Sequence, residues 1–330
     1  MGDRIAIITG ASAGVGRATA VEFGRHGWRV ALLARGLEGL QGAQREVEAA
    51  GGRAMILQVD VADHDQVEAA ADRVEREWGA IEVWVNNAMV TVFCPVASTA
   101  PADFRRATEV TYLGGVWGAM AALRRMRPRD RGTIVQVGSA LAYRSVPLQA
   151  AYCGAKSALR GFIDALRTEL IHENSGVHLT MVHLSAFNTP QFDWGHTCMQ
   201  KRPKPLGKIF QPELAARAIY WAATHRRREL WVGFPAVEAI VGNRVMPGFL
   251  DRKMAREAYG GQLSDTPVAP DRPDNLYRPV TGDRGAHGRF DAQASGSDGE
   301  LWLATHRPAL VLILLVAAAC LIDIALRVWS

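Results

Sequence analysis

Tyr152 and Lys156 stand four residues apart in the segment Ala-Tyr-Cys-Gly-Ala-Lys. On a helix that spacing brings both side chains to one face, a turn apart. An ammonium beside a phenol favours the phenolate, which lowers the phenol pKa and suits the pair to passing a proton. Ser139 lies just past the apolar run 133–138, which reads as a buried strand. A hydroxyl at the carboxyl end of such a strand can share a substrate oxygen with the tyrosine. Taken alone, the pair also fits a half-buried tyrosine next to a solvated lysine.

The amino-terminal end carries a second constellation. Residues 5–9 form a short apolar strand, Gly10-Ala-Ser-Ala-Gly14-Val-Gly16 follows at once, and 17–25 read as a helix. Glycines permit the tight turn and a close backbone approach, and the helix N-terminus offers unpaired N–H groups to a pyrophosphate. The second strand ends at Ala34 rather than at an acid that would accept from a ribose 2′-OH. Arg35 follows, and its guanidinium can pair with a 2′-phosphate or stack on the adenine. Ser12 adds a hydroxyl. The expected cofactor is therefore NADP(H).

Together these pieces resemble the short-chain dehydrogenase/reductase family. The resemblance rests on Thr9-Gly10-Ala-Ser-Ala-Gly14-Val-Gly16, Asp60-Val61, Asn86-Asn87-Ala88, Ser139, Tyr152 with Lys156, and Thr189-Pro190, in the family's order over about residues 3–235. It implies a single Rossmann-like catalytic domain, with Ser139, Tyr152 and Lys156 in the active site. It also implies that the Asn-Asn-Ala turn supports the cofactor end of the sheet. Expected cofactor contacts are Gly10, Ser12, Gly14, Val15, Gly16, Arg35, Asp60, Val61, Asn87, Ala88, Tyr152, Lys156 and Thr189. Two positions depart from the family pattern. Thr111 stands where the family often has a relay asparagine, so its hydroxyl either binds a water in a modified relay or packs the helix. The segment His183-Leu-Ser-Ala-Phe-Asn-Thr189-Pro190 replaces a common Pro-Gly, which predicts an altered backbone path there.

Apolar strands alternate with helices of ten or more residues: strands near 29–34, 54–59, 81–85, 133–138 and 177–183, and helices over 37–50, 64–78, 101–126 and 149–172. This predicts an α/β fold with a doubly wound parallel sheet covered on both faces. Residues 191–210 suit a lid over the substrate or a disordered loop. The segment 236–258, at once apolar and basic, suits an interfacial surface, part of the substrate pocket, or packing at the domain edge.

The chain has 330 residues, a net charge of +5 and a pI near 9.2, with no zinc-finger or RRM-like pattern, so nucleic acid is not an expected partner. Cys94, Cys153, Cys198 and Cys320 form no C-x-x-C pair, which suits a reducing compartment without disulfides or zinc. No metal is expected. The strand at residue 5 leaves no room before it for a cleavable signal.

Residues 261–307 are poor in aliphatics and read as a flexible tether after a catalytic domain over 1–260. The apolar stretch 309–326 is about the minimum length that spans a bilayer, which predicts a transmembrane helix over 308–328, and a buried or self-pairing helix is the other reading. These features predict a single-pass membrane protein with its catalytic domain on the cytoplasmic side. The expected activity is hydride transfer between nicotinamide and a carbonyl or alcohol carbon of a lipophilic substrate. A membrane-tethered nucleotide sensor or scaffold with little turnover is the alternative. A homo-oligomer is compatible with either.

Overall fold

The computed structural model describes residues 4–297 and 299–306. Its centre is a seven-stranded parallel sheet in the order β3-β2-β1-β4-β6-β7-β12. The strands are β1 (Ile5–Thr9), β2 (Arg29–Ala34), β3 (Arg53–Gln58), β4 (Val83–Asn86), β6 (Thr133–Ser139), β7 (His178–Leu184) and β12 (Glu229–Val232). A two-residue strand, β5 (Val92–Phe93), precedes β6. Registers such as Ile7 opposite Ala31 and Ile8 opposite Val85 run through the centre. β1 is buried at every position, as a strand sandwiched between helices must be.

Helices α1 (Gly14–Arg25), α2 (Leu37–Ala49) and α8 (Pro212–Thr224) cover one face, burying Phe23, Leu40 and Ile219 against Ile8 and Val85. The other face is covered by α3 (His64–Trp78), α4 (Pro101–Thr108), α5 (Gly114–Met126) and α6 (Ala150–His172), which bring Val74, Ala122 and Ile163 onto Ile7 and Ile134. Local chemistry sets the helix starts. Asp63 caps α3 by accepting from the N–H groups of Asp65 and Gln66, and Pro212 opens α8, where its missing N–H is no loss. The helix expected over 101–126 is broken by a π-turn at Glu109–Leu113, a feature that often accompanies functional sites.

The expectation of a flexible tether is overturned. Within 261–297 the chain forms β13 (Leu263–Pro267), antiparallel to β10 (Lys201–Pro203), and β14 (Ala294–Ser295). β14 pairs with β11 (Ile209–Phe210), which in turn pairs with β8 (Ala186–Phe187). Leu276 and Phe290 are buried, Leu276 completely. Sparse apolar residues and many polar contacts fix this segment, so low aliphatic content did not mean absence of structure.

The membrane expectation is corrected with it. The run 308–328 lies outside the described residues, and among the described residues no helix is long and apolar enough to cross a membrane. The tether that was to let the domain reach a bilayer is folded onto that domain instead. The transmembrane helix, the membrane as partner and the membrane location therefore stand without support.

The cysteine reading is corrected on one point, the expected absence of a disulfide. Cys94 and Cys198 form a disulfide across 104 residues, joining the ends of β5 and β9 (His196–Thr197), while Cys153 is free and buried. Sequence spacing carries no trace of a bond that tertiary pairing creates.

Candidate active site

The site lies at the carboxyl ends of the strands, where the strand order reverses between β1 and β4. Its floor is the turn between β1 and α1. Gly10 and Gly14 have φ of +68° and +57°, a region that favours glycine. A Cβ on Gly16 would collide with the Gly10 carbonyl oxygen and the Asn87 side-chain nitrogen. Thr9 Oγ1 accepts from the N–H groups of Asn87 (2.9 Å) and Ala88 (3.0 Å), and Asn87 Nδ2 donates to the Thr9 carbonyl at 3.0 Å. The Asn-Asn-Ala turn is thereby locked to the glycine turn, and Asn86 is buried with its side chain bonded to Trp84 and Gly115.

A cavity of about 560 Å³ opens above this floor. Every residue singled out from the sequence as catalytic or cofactor-binding lines it, except Thr111. Its glycine backbone, free of side chains, and the adjoining start of α1 suit the pyrophosphate of a dinucleotide, with the Gly14 N–H bonded to the Gly285 carbonyl in this structure.

Lys156, fully buried, donates from Nζ to the Val137 carbonyl at 2.7 Å, and its Nζ lies 5.8 Å from the centre of the Tyr152 ring. Burial lowers the Lys156 pKa to about 8. Burial also pushes the Tyr152 phenol above its ordinary value, while a hydrogen bond with the Ser139 side chain pulls it partway back. A phenol lowered by its lysine neighbour was expected. In the structure Lys156 spends a hydrogen bond on Val137, and desolvation of the phenol prevails.

Ser139 Oγ accepts from the Leu141 N–H at 3.1 Å, which holds the hydroxyl at the end of β6. Behind it sits a group that sequence reasoning missed. His183, fully buried, has Nδ1 3.3 Å from the Ser139 carbonyl oxygen and Nε2 3.4 Å from the Tyr143 hydroxyl. Tyr143 donates to Glu229 at 3.1 Å, and hydrogen bonding to His183 holds the Glu229 carboxyl down to about 2.

Thr111 spends its hydroxyl on the backbone of Val90, donating to the carbonyl at 2.9 Å and accepting from the N–H at 3.1 Å. It ties the π-turn to the segment after the Asn-Asn-Ala turn. The altered loop after β7 has a different partner. Asn188, also fully buried, receives the Gly288 and Phe290 N–H groups and donates to Asp291 and Gln211. The departure from the family pattern is thus where the carboxyl-terminal segment docks.

That segment supplies the roof of the cavity through Asn275, Pro279, Val280, Gly282 and Arg284. No sequence motif marked them. Arg35 donates to the carbonyls of Leu276 (3.2 Å) and Asn275, and Arg106 bonds both Leu276 and Asp60.

A family model described as short chain dehydrogenase matches residues 4–194. The chain belongs to the short-chain dehydrogenase family. It is 31% identical over 289 residues to the uncharacterized oxidoreductase YxnA of Bacillus subtilis, covering 86% of this chain and 81% of that one. Human dehydrogenase/reductase SDR family member 7 is 36% identical over 172 residues, about half of each chain. Among solved structures, a metagenomic short-chain oxidoreductase in complex with NADP superposes with a TM-score of 0.60 at 28% identity, covering 70% of this chain and 97% of that one. An alcohol dehydrogenase from Thermococcus sibiricus, complexed with 5-hydroxy-NADP, gives 0.60 at 26% identity, with 69% and 95% covered. This short-chain dehydrogenase is an oxidoreductase, and the family match over 4–194 takes in the glycine turn and the strands from β1 to β7 that shape the cavity floor.

Proposed function

We propose that this enzyme transfers a hydride between NADP(H) and a carbonyl or alcohol carbon of a lipophilic substrate, with Tyr152 as the acid/base, Ser139 holding the substrate oxygen and Lys156 supporting both. The observation that carries the reading is that these three side chains open onto the same cavity as the glycine turn. The resemblance of the fold to a short-chain oxidoreductase solved with NADP supports the choice of cofactor. So do Ala34 and Arg35, which leave no carboxylate at the end of β2 to meet a 2′-phosphate.

A bound nicotinamide supplies or accepts the hydride. The chain's own groups handle the proton and the oxygen. Burial keeps the Tyr152 phenol protonated, which is the state needed to donate to a carbonyl oxygen in reduction. Ser139 presents its hydroxyl to the same oxygen, on a strand end braced by His183. Lys156, poised near pH 8, can give up and regain a proton close to working pH. On the substrate side the wall carries the apolar Leu141, Val146, Leu206, Leu250 and Met254 interleaved with the charged Arg144, Lys204, Glu238 and Lys253, and the apolar share supports a lipophilic substrate body. Part of it comes from α9 (Phe234–Val245) and α10 (Pro247–Lys253), so the segment 236–258 contributes to the pocket. The low-turnover alternative leaned on Thr111 and the loop after β7, and neither removes a chemical group from the cavity.

The test is nicotinamide oxidation with a panel of apolar aldehydes and ketones, run on the parent and on Tyr152→Phe. Removing the phenolic oxygen lowers turnover by about 10²- to 10⁴-fold while NADPH binding persists. Near-normal turnover by Tyr152→Phe on a substrate of the parent rejects the mechanism. Tighter binding of NADH than of NADPH rejects the cofactor assignment.

A further inference from the structure

The roof of the cavity follows a definite course over the nucleotide side of the sheet. Asn275 and Leu276 accept from Arg35 at the end of β2. Pro279 then lies against Gly36, and the Gly282 N–H donates to Glu38 at the start of α2. Asp283 pairs with Arg17 of α1 and reaches Arg45 of α2 at 3.6 Å. The Gly285 carbonyl accepts from the N–H of Gly14, in the glycine turn itself, at 3.2 Å. Gly288 donates to Asn188, which closes the strap on the loop after β7. Residues 275–288 thus cross from the end of β2 to the glycine turn, over the stretch of cleft bounded by Ser12, Gly14, Gly36 and Gly39.

The charges on this strap are sorted. Asp283 is taken up by the arginines of the helices beneath it. Its neighbour Arg284 lines the cavity instead, with Nε donating to the Thr281 carbonyl at 3.1 Å. Among the described residues no carboxylate pairs with Arg284. Arg35, by contrast, has both terminal nitrogens engaged by strap carbonyls. We infer that residues 275–288 form a strap closing over the dinucleotide, and that Arg284 is a ligand for one of its phosphate groups. A guanidinium held by its Nε keeps both terminal nitrogens available for two-pronged contact with a phosphate. The inference rests on the reading of the cleft as an NADP(H) site, and it adds a binding residue from outside the matched region 4–194.

The experiment measures dissociation constants for NADPH and NADH by fluorescence titration of the full chain, for the parent, Arg284→Gln and Arg284→Lys. Arg284 is exposed, and thermal melts confirm that the variants keep the fold. Arg284→Gln is expected to weaken NADPH binding about tenfold, in line with the loss of one charge-assisted contact, and Arg284→Lys to weaken it less. A loss confined to NADPH places Arg284 at the 2′-phosphate, and an equal loss for NADH places it at the pyrophosphate. Either supports the inference. Unchanged binding of both nucleotides overturns it, and so does tighter binding, which would make the strap a competitor of the nucleotide. A parent that binds neither nucleotide overturns the reading of the cleft and the strap together, whereas a parent that binds normally beside an indifferent Arg284→Gln removes only the strap ligand.

Discussion

Below the nucleotide cleft, Gly10 and Gly16 pack backbone against backbone with the Asn87 side-chain amide wedged beside them, and neither glycine has space for a Cβ. Above it, the roof is held by charge pairs and carbonyl contacts between residues distant in the chain, such as Arg17 with Asp283 across 266 positions. Both surfaces face one cavity. The floor is specified locally, because a strand, a tight turn and a helix must follow one another with glycine at fixed places. The roof is specified only once the rest has folded and brought Arg17, Arg35, Glu38 and Asn188 within reach. A floor of this kind tolerates almost no added atom. A roof of this kind depends on a few buried anchors and tolerates change between them.

The strongest way to break that contrast is Gly16→Ala. The new methyl meets backbone atoms of Gly10 that cannot move aside without disturbing the turn. Nucleotide affinity is expected to fall a hundredfold or more, about 3 kcal/mol, as for other changes that force a backbone shift. Titration with NADPH reads this directly, and binding within a fewfold of the parent would show that the floor is less tightly specified than its packing indicates.

On the roof, Leu276→Ala removes the side chain that anchors the strap in the core. Loss of a fully buried leucine costs about 2–4 kcal/mol where the surroundings do not collapse. If the strap opens separately from the domain, the cost appears as protease sensitivity within 270–290 and only a small drop in the global melting temperature. A cooperative loss of the whole domain would instead make the roof part of the core and erase the distinction between the two surfaces.

The same contrast explains what could be read from the chain alone. Tyr152, Lys156 and Ser139 were legible because i, i+4 spacing on a helix and a strand end fix their relation before any tertiary contact. The glycine turn and the Asn-Asn-Ala turn were legible for the same reason. The Cys94–Cys198 bond and the strap were not, since each depends on a partner far away in sequence, and neither was the π-turn at Glu109–Leu113, whose Thr111 is bonded to Val90. Leu276 within the strap and Phe290 just beyond it are buried apolar residues, but they stand in a stretch otherwise rich in Gly, Pro, Asp and Arg that shows no periodicity. The altered residues after β7 were noticed as a departure, but only the docked strap reveals that Asn188 is there to hold it.

The smallest expected effect concerns Lys156 and has a defined pH signature. Its pKa of about 8 in the folded chain lies below the unfolded value of 10.5. Between those values the unfolded chain binds more protons, so stability rises with pH. Below pH 8 the buried ammonium imposes its full cost, and the cost disappears above about 10.5. Tyr152 works in the opposite sense, because its raised pKa makes the folded chain lose stability as pH climbs past 10. The window from pH 7.5 to 9.5 therefore isolates the lysine. Lys156→Met, which keeps the length of the side chain and removes the charge, serves as the reference, and the Cys153 thiol is common to both chains. Relative to that variant, the parent is expected to gain roughly 2 kcal/mol across the window. Urea titrations of the two chains at pH 7.5, 8.5 and 9.5 measure the gap. Parallel stability curves would mean that Lys156 keeps an ordinary pKa, and the cleft would then be wetter around the tyrosine than its burial implies.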